Sequence, residues 1–413
     1  MESVLVGFTV CLLLAFLLSE FFYRLRYPRV IGQILAGLIL GIPLIRDYVF
    51  GGGGIDFIGS LADIGVVFLM LLVGTEIRIH DLKKASKKAF VLACLGYIIP
   101  LVMGFIFMRA LGYDTLTAVI VAICLAISAE AVTIDILMEY KMLNTALGTT
   151  MMEAGMIDDI FGVLSLAAVI TVVQGGGVSS LMDMPGDFMT FILISYLLGV
   201  MVLPKAAKAV WKEKSEPAVL SLAVIFGLIV VVLSMVFGLS SVVGAFVAGV
   251  IIQISIKNRM EEKEIVESLN IVTFGLVIPF FFIYTGMNLD VMKVMDAVFL
   301  TFGITVIAIA GKLFGAHIVG LIYRMKPMES RLLGWGMNPR GAVELIIVNI
   351  AKSRGLISNE IYSAVVTMAI ISALISPVMF RRTCEAGGCH GRAEHGRKKN
   401  HHFSQADEFK KPG

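Results

Sequence analysis

Two adjacent aspartates, Asp158 and Asp159, lie in the middle of a long apolar run of the sequence. Neighbouring helical residues point about 100° apart, so one carboxylate can face a cavity while the other faces a neighbouring helix. Carboxylate oxygens are hard ligands that suit small cations such as Na⁺ or Li⁺. Burial in general favours the protonated form of a carboxyl group, so a proton and a cation can compete for it. The alternative interpretation is a structural pair of acids that holds helices together through basic partners.

Lys312 is a basic residue inside another long apolar run, residues 294–323. A lysine in a nonpolar interior is either paired with a carboxylate or uncharged, and both options connect it to the two aspartates. A lysine reaching to an interface is the weaker interpretation, because apolar residues extend on both sides of it.

Two apolar runs contain residues that interrupt helices. Residues 336–341, Gly-Met-Asn-Pro-Arg-Gly, combine glycine with a proline that lacks a backbone donor. Residues 128–133, Ser-Ala-Glu-Ala-Val-Thr, place hydroxyls and a carboxylate among apolar neighbours. Unwound segments at corresponding places in two halves of a transporter mark its ion site, where freed carbonyls coordinate a cation. The sequence therefore predicts two broken helices, with Ser128 and Thr133 near the break.

Further charges lie close to these interruptions. Arg340 and Glu344 are one helical turn apart and are able to pair with each other. Alternatively, Arg340 reaches Glu130 or Glu153 on other helices. We expect all four residues to be supporting buried charges around the aspartate pair, since each charge inside an apolar span needs a partner or a function.

The elements that position these residues are membrane-spanning helices. The chain has 413 residues, 58% of them hydrophobic and 16% charged, with a mean hydropathy of +0.91, whereas soluble domains carry about 25% charged residues. The apolar runs approach the roughly 20 residues that cross a bilayer. Thirteen predicted spans cover residues 3–23, 28–45, 57–76, 88–111, 115–138, 143–174, 185–211, 218–237, 240–256, 266–287, 294–323, 331–351 and 360–380. These runs predict an all-α integral membrane protein in a lipid bilayer and exclude a β-barrel, whose strands alternate in polarity.

Basic residues predict the orientation of these spans. Most of them fall in alternate loops, such as the one with Lys83, Lys84 and Lys87, and this asymmetry is typical of cytoplasmic loops. The N-terminus is therefore expected outside and the C-terminus in the cytoplasm. The first span lacks a preceding basic region and is expected to be a retained helix. The net charge of +3 resides in these loops and indicates no nucleic-acid partner.

Residues 1–380 are expected to form one membrane domain and residues 381–413 a polar, disordered cytoplasmic tail. The tail contains potential zinc ligands, but their spacing matches no strong zinc-finger pattern. They are Cys384, Cys389, His390 and His395.

Together these residues resemble the monovalent cation:proton antiporter-2 family, particularly its NapA-like sodium/proton exchangers. The resemblance extends over nearly all of residues 1–380. Its motifs are residues 27–38 (Tyr-Pro-Arg-Val-Ile-Gly-Gln-Ile-Leu-Ala-Gly-Leu), residues 65–76 (Gly-Val-Val-Phe-Leu-Met-Leu-Leu-Val-Gly-Thr-Glu), Asp158-Asp159, residues 279–282 leading to Gly286-Met287, Lys312, and residues 337–341.

The resemblance implies the sodium/proton antiporter fold, with inverted repeats, two discontinuous crossing helices, and a core that moves like an elevator against a dimerisation part. It implies a homodimer in a prokaryotic cell (inner) membrane that exchanges Na⁺ (or Li⁺) for H⁺ and needs no cofactor. Asp159 would bind the cation and exchange protons, and Asp158 would pair with Lys312 when no cation is bound. Ser128 and Thr133 would line the crossing. If Lys312 also exchanges a proton, transport is electrogenic.

Glu130 departs from the family pattern, which usually has a small or hydroxyl residue there. The extra carboxylate leaves stoichiometry and ion choice open. Glu153 lies about 140° around the helix from Asp158, and we expect it to form a structural pair with Arg340.

Two other functions remain open. K⁺/H⁺ antiport or potassium efflux uses the same chemistry with another ion. An intramembrane aspartyl enzyme would use Asp158 and Asp159 as catalytic acids, but that chemistry needs two acids facing each other from different helices. The sequence favours a transporter, not an enzyme.

Overall fold

The computed structural model describes residues 2–50, 54–77, 85–174, 180–206, 216–256 and 259–387. These residues form helices joined by short connections, with no β-strand among them. The first nine helices are α1 (Glu2–Arg24), α2 (Arg29–Leu40), α3 (Pro43–Phe50), α4 (Gly54–Glu76), α5 (Lys87–Ala110), α6 (Thr115–Ala126), α7 (Glu130–Glu139), α8 (Ala146–Gln174) and α9 (Ser180–Met201). The predicted fold class, all-α, is therefore confirmed for the described residues.

The second half continues in the same way. Its helices are α10 (Glu216–Val236), α11 (Ser241–Ser255), α12 (Arg259–Val272), α13 (Ile278–Met287), α14 (Val291–Asp296), α15 (Val298–Ile322), α16 (Pro327–Gly336), α17 (Ala342–Ser353) and α18 (Asn359–Ala386). A π-helical turn, Thr273–Val277, joins α12 to α13.

Among the described residues, eight helical segments are long and apolar enough to cross a membrane, or nine if one bent pair counts as a span. The bent pair is α2 and α3, which meet at 89°. The predicted span 28–45 is therefore shorter as a straight helix, because α2 ends before Gly41 and Pro43 starts a new one. The protein is a multi-pass membrane protein, while the number of thirteen spans and the inverted repeat stay predictions.

The fifth and twelfth predicted spans are interrupted where glycine, proline and polar residues suggested it. Helix α6 ends at Ala126 and α7 begins at Glu130. Helix α16 ends at Gly336 and α17 begins at Ala342. Pro339 lies in the second break, where its missing N–H removes a donor that a continuous helix would need.

The helices pack as two bundles. In the first bundle α4 packs against α11 and α13, and α2 packs against α1 and α13. In the second bundle α5 packs against α6, α8 and α15, α7 packs against α8, and α18 packs against α15, α16 and α17. Helix α9 contacts α11 on one side and α8 on the other. The site residues named above, from Ser128 to Glu344, all belong to the second bundle.

Small residues bring helices of the first bundle into close contact. A Cβ at Gly37 of α2 would overlap the backbone of Ile283 in α13, and one at Gly286 would overlap the backbone of Ile34. In a bilayer, such close backbone approach supplies the van der Waals contact that holds helices together. The motif residues around Gly37 and Gly286 therefore have a packing role.

Polar side chains cap several helix ends. Ser86 accepts a hydrogen bond from the Ala89 N–H at 3.2 Å at the start of α5, and Asp114 accepts one from the Thr117 N–H at 3.0 Å at the start of α6. Each cap satisfies an N–H that has no partner within the helix. Helix α18 continues to Ala386, past residue 381, where the tail was predicted to begin. Residues 388–413, including Cys389, His390 and His395, lie outside the described residues.

Candidate functional site

The two helix breaks touch each other inside the second bundle. The Ala129 N–H donates to the Pro339 carbonyl at 2.8 Å, so one break satisfies the backbone of the other. The Thr133 hydroxyl donates to the Gly336 carbonyl at 2.6 Å. Buried backbone groups freed from a helix must find such partners. The two breaks are therefore joined by hydrogen bonds where they cross. The helix ends on either side of each break meet at this crossing.

Asp158 and Lys312 form a buried ion pair beside this crossing. The Lys312 Nζ lies 3.2 Å from Asp158 Oδ2, and each side chain is only 1% exposed. The Lys312 Nζ also donates to the Ser128 hydroxyl at 2.6 Å, and the Ser128 N–H donates to Asp158 Oδ2 at 2.8 Å. A buried ion pair is tolerated only when further hydrogen bonds complete it, as they do here. The Asp158 charge is therefore balanced within the protein.

Asp159 faces a different neighbour. Its carboxyl group lies beside that of Glu130, across from α8 to α7. Glu76, at the end of α4 in the first bundle, acts electrostatically on both groups. The adjacent aspartates thus have distinct surroundings, one with a lysine and the other with acids.

Glu344 and Arg340 are deeply buried, with exposures of 0% and 2%. The Gly341 N–H donates to Glu344 Oε1 at the start of α17, and Arg340 Nη2 donates to the Ala308 carbonyl at 3.2 Å. No ion pair within 4.0 Å joins these two residues in the described part of the chain. Glu344 therefore stabilises the second break, and Arg340 connects it to α15.

The predicted pair of Glu153 with Arg340 is wrong. The Glu153 carboxylate accepts hydrogen bonds from the Ser86 N–H at 3.0 Å and from the Ser86 hydroxyl at 2.7 Å. The prediction that Glu153 and Asp158 point to different sides of α8 is correct. The angle between them does not show which helix lies on the side of Glu153. The helix that lies there begins with Ser86, so Glu153 supports the start of α5 and not the site.

Three residues near the site were not singled out as site residues from the sequence. Tyr97 hydrogen-bonds to Ser165 and acts electrostatically with Asp158, Gly155 lies against Glu130, and Glu76 appears above only within a family motif. A glycine one helical turn before an aspartate was the available signal for Gly155. No comparable signal marks Tyr97, because aromatic residues are common in spans.

The chemistry of this arrangement suits a monovalent cation. No group of three or more His, Cys, Asp or Glu side chains that could hold a metal ion occurs in the described ranges. A Na⁺ ion needs fewer charges, and backbone carbonyls at the breaks supply neutral oxygens. Among the described residues, Lys312 neutralises Asp158, whereas no lysine or arginine lies within 4.0 Å of the Asp159 or Glu130 carboxylate.

The comparisons with known proteins point the same way. The chain is 29% identical to a Na⁺/H⁺ antiporter of Enterococcus hirae over 87% of this chain and 92% of that one. It is 26% identical to the Na⁺/H⁺-K⁺ antiporter GerN of Bacillus cereus, over 87% and 91% of the two chains.

A solved structure has the same fold. The sodium proton antiporter MjNhaP1 from Methanocaldococcus jannaschii at pH 8 matches with a TM-score of 0.67, covering 94% of this chain and 97% of that one at 16% identity. Likeness at that identity speaks for the fold alone.

The family model described as "Sodium/hydrogen exchanger, transmembrane" matches residues 10–386. This match confirms the predicted transporter class and excludes the intramembrane aspartyl enzyme, whereas the assignment to the antiporter-2 branch stays a prediction. Since the match spans nearly all of the described residues, the chain belongs to the sodium/hydrogen exchanger family.

Proposed function

We propose that this protein exchanges Na⁺ (or Li⁺) for protons across the membrane, with Asp159 as the carboxylate that binds both. The observation that carries the proposal is that the two adjacent aspartates have different neighbours. Lys312 balances the buried charge of Asp158 at 3.2 Å, while Asp159 lies at the crossing with an acid as its neighbour. A carboxylate in a nonpolar interior without a basic partner needs a proton or a cation.

Competition between the two ions couples their movement. A deprotonated Asp159 binds the cation, the site moves to the other side, and release of the cation is followed by protonation. Either ion allows the site to cross, because each neutralises the carboxylate, while the empty charged site crosses slowly. Opposite movement of cation and proton follows from this rule alone.

Lys312 has a proposed coupling role. When a cation enters, Asp158 turns from Lys312 toward the ion, and Lys312 keeps its contact with Ser128. If Lys312 then releases its proton, two protons move for one cation and transport is electrogenic. Thr133 keeps the two breaks together through Gly336 and contributes an oxygen to the lining of the crossing.

The two bundles supply the movement in this proposal. The second bundle, with the crossing, slides against the first bundle as an elevator, and the first bundle forms a homodimer. The N-terminus lies outside and the C-terminus in the cytoplasm, in accord with the basic loops. In support of this movement, the site residues from Ser128 to Glu344 share one bundle.

The test is transport by the protein reconstituted in liposomes. A pH gradient is imposed, and internal pH is followed while Na⁺, Li⁺ or K⁺ is added outside. We expect Na⁺ and Li⁺ to collapse the gradient with the parent protein and not with Asp159→Asn. If no cation moves protons between mildly acidic and alkaline pH, with the protein folded and inserted, the proposed function is wrong.

Potassium exchange is the second candidate. The observation in its favour is the similarity to GerN, whose name includes K⁺ beside Na⁺ and H⁺. The same assay decides between them, because a gradient collapsed by K⁺ alone would keep the mechanism and change the ion.

A further inference from the structure

Glu130 packs against Gly155 of α8, the helix that contains Asp159; this position is called its seat. Glu130 is the first residue of α7, and its carboxyl group is a neighbour of that of Asp159. A Cβ on Gly155 would lie 2.9 Å from Glu130 Cδ and 3.3 Å from Oε1. Since Gly155 is one helical turn before Asp159, its missing side chain opens the space that brings the two carboxyl groups together.

The charges around this pair are not balanced by the protein. Lys312 pairs with Asp158, and Arg340 donates to the Ala308 carbonyl. No lysine or arginine lies within 4.0 Å of the Glu130 or Asp159 carboxylate in the described ranges, and Glu76 adds a further acid nearby. Two half-buried carboxyl groups held close together attract a positive charge between them.

We infer that Glu130 is a second carboxylate ligand of the transported cation, which binds between Asp159 and Glu130. This inference rests on the proposed function and deepens it, because it assigns ion preference to the pair. Two carboxylates make a stronger field at the ion than one, and a strong field favours small cations such as Li⁺ and Na⁺ over K⁺.

Three variants separate the effect of the Glu130 charge on cation binding from the effect of its position. Glu130→Gln removes the charge and keeps the side-chain length, and Glu130→Asp keeps the charge but shortens its reach. Gly155→Ala leaves Glu130 itself intact and pushes its carboxyl group out of the seat. Glu153→Gln is the matched control, since it removes one negative charge from the same helix as Asp159, where the carboxylate accepts hydrogen bonds from Ser86.

The experiment measures transport KM for Na⁺, Li⁺ and K⁺ in proteoliposomes, at an alkaline pH where carboxylates are ionised. Na⁺ binding to the purified protein is measured by calorimetry as a readout independent of transport. We expect Glu130→Gln to raise the KM and Kd for Na⁺ about tenfold, the loss of one ligand contact, and to raise those for K⁺ less. Glu130→Asp and Gly155→Ala should change the Na⁺/K⁺ preference in the same direction.

If Glu130→Gln leaves the cation affinities and the Na⁺/K⁺ preference unchanged, the inference is wrong. It is also wrong if Glu153→Gln changes them equally, because that would indicate a general effect of surface charge. Thermal unfolding and size-exclusion chromatography check that each variant is folded. If Glu130→Gln does not fold, Gly155→Ala still tests the inference. Failure of the proposed function is distinguishable, since it would appear as a parent protein without exchange or as an active Asp159→Asn.

Discussion

At the scale of single residues, the ion pair of Lys312 with Asp158 has a large effect on stability. Both side chains are 1% exposed, so removing one leaves an uncompensated charge in the interior. We expect Lys312→Gln to lower the free energy of unfolding by about 3–5 kcal/mol, seen as a lower thermal midpoint in detergent. The double variant Lys312→Gln with Asp158→Asn should recover much of this loss, because neither charge remains. A double variant as unstable as the single one would show that packing, not charge, determines stability here.

The control for this pair is an exposed one. Lys293 and Asp296 lie 4.0 Å apart, with side chains 50% and 68% exposed. Exposed ion pairs contribute about 0–1 kcal/mol, so Lys293→Gln should leave the thermal midpoint nearly unchanged.

Asp159 is the residue at which pH should act on transport. Protons and Na⁺ compete for the same carboxylate, so the apparent KM for Na⁺ should rise as pH falls. Once the site is mostly protonated, simple competition raises this KM about tenfold for each pH unit, and saturating Na⁺ should restore the rate. Initial rates at several Na⁺ concentrations, with pH equal on both sides, measure this. A maximal rate that falls with pH at constant KM would instead place the titrating group outside the cation site.

At the scale of elements, the N-terminal cap of α6 is an independent test of local stability. Hydrogen bonds from the Thr117 side chain and backbone hold the pKa of Asp114 below its ordinary value. A lowered pKa means stability that is present above the unfolded-state pKa, near 4, and is lost as pH falls through the folded-state pKa. Asp114→Ala should therefore cost about 1 kcal/mol at neutral pH. Its thermal midpoint should approach that of the parent as pH falls below about 4, and a constant difference at all pH values would contradict the role of the charge.

The helices and their breaks were the features that the sequence predicted best. Apolar run length predicted the helices because a bilayer demands about 20 apolar residues, and Gly336, Pro339 and Gly341 predicted a break because they weaken a helix by known means. Contacts between elements were harder. The contact of Glu153 with Ser86 and the seat of Glu130 against Gly155 depend on which helices are neighbours, and periodicity gives only a direction around one helix.

At the scale of the whole molecule, an ion pair at the ends of two helices joins the first bundle to the second. Arg26, between α1 and α2 in the first bundle, lies 2.8 Å from Glu139 at the end of α7 in the second. The same carboxylate lies 3.4 Å from Arg381 of α18, which belongs to the second bundle itself. Glu139 therefore has one partner across the bundle boundary and one within its own bundle. Of these two contacts, the one with Arg26 has to open if the second bundle slides against the first, and the one with Arg381 does not.

This difference gives a test of the proposed movement. Cysteines replace Arg26 and Glu139 in one variant, and Glu139 and Arg381 in another, on a background without native cysteines. Arginine and glutamate side chains are too long for a direct disulfide to replace them, so a short bifunctional thiol reagent forms the link. We expect the link between residues 26 and 139 to abolish transport in proteoliposomes, because it joins bundles that must move. The link between residues 139 and 381 should leave transport nearly intact, since those residues would travel together. Full transport with residues 26 and 139 linked would rule out a sliding movement at this boundary.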